Sequence, residues 1–416
     1  MSVGQQGASP APALASGGLS HLVAALAAGG LFLVGLLVVS RCADVVIARH
    51  IYGLAGSQYP QKSFGLAVQR EALLHDDLLP LYGSSEVDRD SANHPRQLFA
   101  TAPTGFTAFT VGKRGAPLVS TVQNIAALGR DLRGKKVAVL LSPPMFETAA
   151  NADQYDGNFS PLHALTVLVN PDLSRGLKQR MALRLLEHPS PLDRNKVLAL
   201  TTRVLADERP SRRALSTAIL PLALLQQRLL AAEDKLLMLE YLLGGQARLR
   251  EPRQVQARVL DWQTLAADAT ARYGPNAAGN SFGVDRAWWV RWSRWVEEQP
   301  HQRNEETFAR GIRASGSWDD LENLLQSLQE LGAKPLIFSM PFHGPFYDSL
   351  GISASARGLF YTGVREMAAR YGTPAAVLDD HESDHYLFID LWGHISPVGW
   401  IYCDQILDAF YHDPRR

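Results

Sequence analysis

Five short apolar runs restrict the fold more than any other feature of this sequence. They lie at residues 78–82, 106–111, 136–141, 335–340 and 376–378. They lack a regular polar alternation, and strands that are buried on both faces of a parallel sheet have this pattern. Helical spacing is found between them, at residues 117–132, 318–331 and 354–371. The sequence therefore predicts an α/β fold, a three-layer α/β/α domain with a parallel sheet.

A helical insertion is expected at about residues 150–300, where the strand pattern is absent. Within it, apolar residues recur at alternating steps of three and four, a heptad seam formed by Leu222, Leu225, Leu229, Ala232, Leu236, Leu239 and Leu243. Such a seam can pair with a partner helix in a coiled coil. The alternative, which we prefer, is an insertion that packs on its own domain. Four tryptophans at residues 288–295 indicate a core or a covered surface more than a stacking platform.

An uncharged stretch of 18 residues, 22–39, follows a tail rich in Ala, Pro, Gly and Ser. This length is at the lower end of what spans a hydrocarbon core about 30 Å thick. A cleaved signal peptide needs a basic start and small residues at its end, but Lys and Arg are absent before Arg41, which closes the stretch. A buried core helix is the other alternative. We expect a disordered tail at 1–20, one transmembrane anchor at 21–42 and a folded domain at 70–416.

Charge and cysteine content exclude several classes of protein. The 41 basic residues equal the 41 acidic residues, so no overall field attracts nucleic acid or an anionic surface. The two cysteines, Cys42 and Cys403, are too few for a disulfide scaffold. Arg41 and Arg49 both follow the anchor, and by the positive-inside rule they favour a cytoplasmic body.

Residues able to perform nucleophilic catalysis follow the predicted strands. The first run ends at "GSSE", and the C-terminal segment "FIDLWGHISPVGW" contains Asp390 and His394. Ligands bind beyond the carboxyl ends of parallel strands, so Ser85, His394 and Asp390 can meet at one edge. A serine nucleophile needs a base, and the base needs a carboxylate to fix its tautomer. The alternative for Ser85 is a capping box with the acidic residues after it, which starts a helix without any chemistry.

Six segments in order resemble the DltD family. They are "LPLYGSSEV", "KKVAVLLSPPMF", "DGNFSP", "NSFGVD", "MPFHGPFYDSLGI" and "HISPVGW", and they run from about Leu79 to the C-terminus. The resemblance implies an SGNH-hydrolase-like fold and a place in the D-alanylation system for cell-envelope polymers. It also implies that Ser85 is the nucleophile and His394 the base. Gly115 falls where this fold offers an oxyanion-stabilising N–H, and Asn158, His343 and Trp392 are candidates for substrate binding.

The sequence departs from the family at the third member of the triad. The family carboxylate lies three residues before the histidine, where this chain has Leu391, whereas Asp390 lies four residues before it. Flexibility at Gly393 could let Asp390 reach the imidazole. Otherwise Asp384 or a main-chain carbonyl orients the ring.

The resemblance implies a membrane-anchored protein that moves an acyl group, D-alanyl in this family, from an activated donor to a hydroxyl of an envelope glycopolymer. It implies an MBOAT-type membrane acyltransferase as partner, an acyl carrier protein upstream, and a catalytic domain on the periplasmic or extracellular side of the cytoplasmic membrane. This placement takes precedence over the two arginines. No metal or soluble cofactor is implied. Two alternatives remain: an O-acetyl transferase or esterase for an exopolysaccharide, and a non-catalytic scaffold for the membrane acyltransferase.

Overall fold

A parallel sheet forms the centre of the molecule. The computed structural model describes residues 16–57, 60–147, 152–245, 257–298 and 304–414. The strands in these ranges are β1 (Leu78–Tyr82), β2 (Thr107–Val111), β3 (Lys136–Leu141), β4 (Lys334–Ser339) and β5 (Ala375–Val377). Their order is β2-β1-β3-β4-β5, and every neighbouring pair is parallel. The expected α/β fold is confirmed, with strand ends within one residue of the predicted runs.

Helices account for most of the remaining chain. In order they are α1 (Ser16–Ala55), α2 (Leu66–Leu73), α3 (Ser85–Asp88), α4 (Pro95–Thr101), α5 (Leu118–Ala126), α6 (Pro144–Glu147), α7 (Ala152–Asn158), α8 (Pro161–Val169), α9 (Arg175–Leu186), α10 (Pro189–Asp193), α11 (Lys196–Ala206), α12 (Pro210–Leu243), α13 (Trp262–Ala277), α14 (Arg286–Glu297), α15 (Glu305–Arg313), α16 (Ser317–Glu330), α17 (Gly344–Ser349), α18 (Ala354–Arg370) and α19 (Pro397–His412). Short 3-10 turns lie at Pro60–Ser63, Gly129–Leu132 and Asp379–His381.

Both faces of the sheet are buried, which explains why its strands lack polar alternation. Side chains alternate across a strand, so Val137 and Val139 of β3 point to one face and Ala138 and Leu140 to the other. The first pair joins a core cluster with residues of α1, α2, α5 and α16. The second pair joins a cluster with Trp400 and other residues of α19. Each cluster therefore joins one face of the sheet to the helices that cover it.

The heptad seam of the helical insertion does not face the domain. Helix α12 does pack on its own domain, but it uses the opposite face, where Ala223, Met238 and Leu242 are buried. Seam residues remain exposed, among them Leu222, Leu225, Leu229, Leu236 and Leu243. Helices α1, α2, α8 and α11 contact α12.

Helix α1 combines an exposed apolar half with a half that belongs to the core. It begins at Ser16, so residues 16–20 are helical where a disordered tail was expected; residues 1–15 lie outside the described residues. It continues to Ala55, beyond the predicted end of the anchor, because Ile47, Ile51 and Leu54 recur at helical spacing and are fully buried. By length and composition α1 is a candidate membrane span, and α12 also passes this test.

Candidate active site

The carboxyl end of β1 presents a serine to a histidine from the far end of the chain. After Tyr82 the chain turns at Gly83 and Ser84 and enters α3 at Ser85. The Ser85 hydroxyl lies 2.9 Å from Nε2 of His394, which is 309 residues away in sequence. Both side chains are partly exposed at the carboxyl edge of the sheet. The structure therefore brings together the two residues that the sequence analysis placed there.

A buried carboxylate orients the imidazole. Oδ2 of Asp390 lies 2.7 Å from Nδ1 of His394. A carboxylate can only accept, so Nδ1 carries the proton, and Nε2 is left to accept from the Ser85 hydroxyl. Serine, imidazole and carboxylate thus form one hydrogen-bonded series with the polarity that nucleophilic catalysis requires.

A tight turn accommodates Asp390, which lies one position earlier in the chain than the family carboxylate. Gly393 adopts φ +90°, a conformation that favours glycine, and the backbone N–H groups of Trp392 and His394 both donate to Oδ1 of Asp390, at 3.0 and 3.2 Å. Leu391, at the position of the family carboxylate, is buried in the core. Asp384, the alternative acid, contacts His381 instead, 2.6 Å from its Nδ1.

Arg89 is a site residue that the sequence analysis missed. Its guanidinium donates to Oδ2 of Asp390 at 2.9 Å, while the Asp390 side chain has no exposed area. A buried carboxylate needs hydrogen bonds and a compensating charge, and Arg89 supplies both. The sequence carried no signal for this contact, because it joins residues 301 positions apart.

The turn at residues 83–85, which we call the serine turn, leads into α3 without a capping hydrogen bond from a serine side chain. Ser84 is the N-cap residue of α3, and it makes no side-chain capping bond. Instead the Glu86 carboxylate accepts from the Ser84 backbone N–H at 2.7 Å, and burial raises the pKa of Glu86. The capping-box alternative for Ser85 is therefore wrong, because its hydroxyl is directed to His394.

The loop after β2 packs directly against this turn. A Cβ added to Gly112 would lie 2.8 Å from the carbonyl oxygen of Ser84 and 2.2 Å from a methyl of Val87, so only glycine fits there. Gly115, in the same loop, has φ +70° and lies beside Gln154 of α7. Asn158 connects α7 to this loop, because its amide donates to the carbonyls of Gln154 at 2.8 Å and Arg114 at 3.5 Å.

His343 and Trp392 differ in what they offer a substrate. Nδ1 of the buried His343 accepts from the Phe346 N–H and caps α17, and its Nε2 lies 2.9 Å from the Phe282 carbonyl. Both nitrogens are thus engaged by main chain, and burial lowers the pKa of His343 to about 4. These contacts support a role for His343 in the fold, and its expected role in substrate binding stays a prediction. Trp392, two residues before His394, is 43% exposed.

No group of three His, Cys, Asp or Glu side chains placed to hold a metal ion is found in the described ranges. The side chains that the structure does bring together are those of the hydrogen-bonded series and its supporting arginine. Its parts are the Ser85 hydroxyl, the His394 imidazole and the Asp390 carboxylate, with Arg89 behind the carboxylate.

Comparison with known proteins agrees with the six sequence segments. The family model described as "DltD protein" matches residues 55–412. Protein DltD of Bacillus subtilis (strain 168) is 26% identical over 353 residues, which cover 85% of this chain and 87% of that protein. Protein DltD of Staphylococcus aureus (strain NCTC 8325 / PS 47) is 23% identical, with 91% and 93% covered, and that of Lacticaseibacillus rhamnosus is 22% identical, with 83% and 80% covered. The family match spans most of the sequence, and the chain therefore belongs to the DltD family.

Proposed function

We propose that this protein is a membrane-anchored acyl-transfer enzyme of the D-alanylation system. It would move an acyl group, D-alanyl by family membership, from an activated donor to a hydroxyl of a cell-envelope glycopolymer. The observation that carries the proposal is the hydrogen-bonded series Ser85–His394–Asp390, with distances of 2.9 and 2.7 Å at a partly exposed edge. Membership of the DltD family supports the acyl group and the acceptor class.

In the first half of the proposed reaction Ser85 takes the acyl group. Its Oγ attacks the carbonyl carbon of a thioester or ester donor while its proton passes to Nε2 of His394. Collapse of the tetrahedral intermediate breaks the bond to the leaving group, which takes that proton from His394. Asp390, held by Arg89, stabilises the imidazolium. The backbone N–H of Gly115 is the proposed oxyanion donor, and Asn158 would hold its loop.

In the second half an acceptor hydroxyl attacks the acyl-serine ester. Nε2 of His394 takes the proton of that hydroxyl, and the collapse of the second tetrahedral intermediate releases Ser85 Oγ, which recovers the proton. Trp392, with its exposed indole beside the base, is the proposed contact for substrate. Water in place of the acceptor would give hydrolysis by the same steps.

Family membership also supports a proposal for the partners and the location. We infer an MBOAT-type membrane acyltransferase as partner and an acyl carrier protein upstream of it. We place the body on the periplasmic or extracellular side of the cytoplasmic membrane, with α1 as its single anchor. The exposed apolar half of α1 supports the anchor.

The test is covalent labelling with a fluorophosphonate probe, which reacts with activated serines. We expect the full-length protein to be labelled and Ser85→Ala to lose all labelling. Ser84→Ala is the matched control, because it removes a hydroxyl from the neighbouring residue and should keep labelling. Equal labelling of wild type and Ser85→Ala would contradict the proposal, and no labelling of either would leave the scaffold alternative. Transfer assays with D-alanyl and acetyl donors would separate D-alanylation from O-acetylation.

A further inference from the structure

The heptad seam of α12 is an exposed apolar stripe along one segment of helix. The segment, residues 222–243, lies between two residues that interrupt or end helices, Pro221 and Gly244, and rises about 32 Å. Its positions a are occupied by leucine throughout, and its positions d by leucine or alanine. Five of the seven seam residues are exposed, by 39–72%: Leu222, Leu225, Leu229, Leu236 and Leu243. A contiguous apolar stripe of this length on a surface marks an interaction site.

Polar contacts on the opposite side of α12 hold the seam outward. Heptad position f lies opposite positions a and d, and Gln227 and Asp234 occupy it here. Nε2 of Gln227 donates to the Thr166 hydroxyl of α8 at 3.3 Å. The Asp234 carboxylate accepts from the Ala67 N–H of α2 at 2.8 Å. These contacts fix the rotation of the helix, so the exposure of the seam is a property of the fold.

Charges beside the seam select the direction of a partner helix. Arg228 is at position g and Glu233 at position e of the next heptad, both exposed, and within the described ranges of its own chain neither has an ion-pair partner. In a parallel two-helix coiled coil, a g residue faces the e residue of the following heptad in the other helix. Arg228 of each copy would therefore meet Glu233 of the other. An antiparallel pair sets g against g, which would bring Arg228 beside Lys235.

The same charges argue against lipid as the cover of the seam. By length and composition α12 passes the test for a membrane span. However, Arg228, Glu233 and Glu240 are exposed beside the leucines. Charged side chains are costly in hydrocarbon, whereas they are usual beside the seam of a coiled coil. A second copy of the chain offers the same seam, of equal length, with complementary charges in register.

We propose that two copies of this protein pair through the seam of α12 as a parallel, in-register two-helix coiled coil. Each seam residue then meets its own counterpart across a two-fold axis along α12. Both α1 helices keep the same direction along this axis, as two chains anchored in one membrane require. The pairing does not depend on the chemistry of Ser85.

The size of this interface suits two chains that share a membrane. The exposed parts of the seam and of the side chains beside it amount to roughly 1,000 Å² in the dimer, at the low end for specific interfaces. Chains held by α1 in one membrane meet at a much higher effective concentration than free chains. An interface of this size is therefore sufficient.

The pairing is tested by disulfide trapping of the full-length protein in liposomes. Cys42→Ser removes the exposed native thiol, while Cys403 is buried. Single cysteines are then introduced by Leu225→Cys and Leu236→Cys in the seam. Leu237→Cys is the matched control, because Leu237 is 57% exposed on the same helix but lies outside the seam. We expect oxidation to link the two seam variants into covalent dimers and to leave the control monomeric.

Three results of the trapping experiment would overturn the proposal. Dimers from all three variants alike would show random collision. Dimers only from a mixture of Leu225→Cys and Leu236→Cys would show antiparallel pairing, because a residues then meet d residues. No dimers from either seam variant, with both cysteines shielded by lipid from a soluble maleimide, would make the bilayer the occupant.

Exchange of the flanking charges tests the register. In the Leu236→Cys background, Arg228→Glu would set two carboxylates against each other, so we expect a lower yield of covalent dimer. Adding Glu233→Arg restores opposite charges and should restore the yield. Urea unfolding is the control for folding, and it should be unchanged because both side chains are exposed. A yield unaffected by Arg228→Glu, or not restored by the exchange, would contradict the parallel register.

Discussion

Asp390 is the residue on which the candidate site depends most. Its side chain is fully buried, yet it accepts from two backbone N–H groups, the imidazole of His394 and the guanidinium of Arg89. The backbone bonds fix the loop, and the imidazole bond fixes the tautomer of the base. The carboxylate therefore organises the candidate site from a fully buried position.

Replacing the carboxylate by its amide separates these roles. We expect Asp390→Asn to preserve the fold but to lower the rate of fluorophosphonate labelling by about 10³–10⁴-fold, because the amide favours the wrong tautomer of His394. Asp384→Asn is the matched control, since Asp384 contacts His381 instead. Labelling is followed over time by gel fluorescence. A rate unchanged in Asp390→Asn, or lowered equally in both variants, would contradict the role of Asp390.

The positions of Ser85 and His394 could be predicted from sequence, and those of Arg89 and Gly112 could not. Apolar runs followed by polar turns locate the carboxyl edge, and the family segments identify the serine and the histidine. Arg89 instead depends on which groups meet across 301 residues of chain, and Gly112 on a contact between two loops. Only the folded backbone defines such long-range contacts. The exposure of the heptad seam could not be predicted for the same reason. Periodicity predicts an apolar stripe on a helix but not which face of the helix the domain covers.

The turn after β2 supports the serine turn as one element. Gly112→Ala would place a methyl group against Val87 and the Ser84 carbonyl. We expect it to cost about 1–3 kcal/mol of unfolding free energy and to lower labelling of Ser85 by displacing its turn. Gly176→Ala is the control, because no atom lies within 4 Å of the added Cβ. Urea unfolding and labelling rates measure the two effects, and full labelling in Gly112→Ala would refute the support role.

The cap of α17 makes stability depend on pH through His343. Burial lowers its pKa to about 4, against about 6.5 in an unfolded chain. Between these values the unfolded chain binds the proton and the folded one does not, so acid favours unfolding. The stabilisation that neutral His343 contributes is full above pH 6.5. It is lost as the pH falls to about 4, which lowers the unfolding free energy by up to about 3 kcal/mol.

His343→Asn should keep a capping side chain and remove this titration. We therefore expect the unfolding free energy of the variant to fall less than that of wild type between pH 7 and pH 4. Urea unfolding in detergent at several pH values measures the difference. The buried His163, whose pKa is lowered to about 3, titrates in both proteins and cancels in the comparison. The same dependence of unfolding free energy on pH in wild type and in His343→Asn would contradict the role given to His343.

At the scale of the whole molecule, the anchor helix and the folded body share one structural element. Ile47, Ile51 and Leu54 of α1 are fully buried in the main core cluster. A single helix therefore contains both the candidate membrane span and these core residues.

Truncation at two points tests this continuity. We expect a chain that begins at residue 43 to remain folded, and a chain that begins at residue 57 to unfold or aggregate. Loss of three large core residues at about 2–5 kcal/mol each matches or exceeds the whole stability of a typical domain. Soluble yield and urea unfolding distinguish the two chains. Equal stability would show that α1 contributes nothing to the core.

The separation of 309 residues between Ser85 and His394 has a consequence for biosynthesis. A ribosome produces Ser85 early and His394 almost last, so a chain that is still being made or exported carries a hydroxyl that nothing activates. Under the proposed function, Ser85 becomes reactive only once the C-terminal segment that carries His394 has folded onto the sheet.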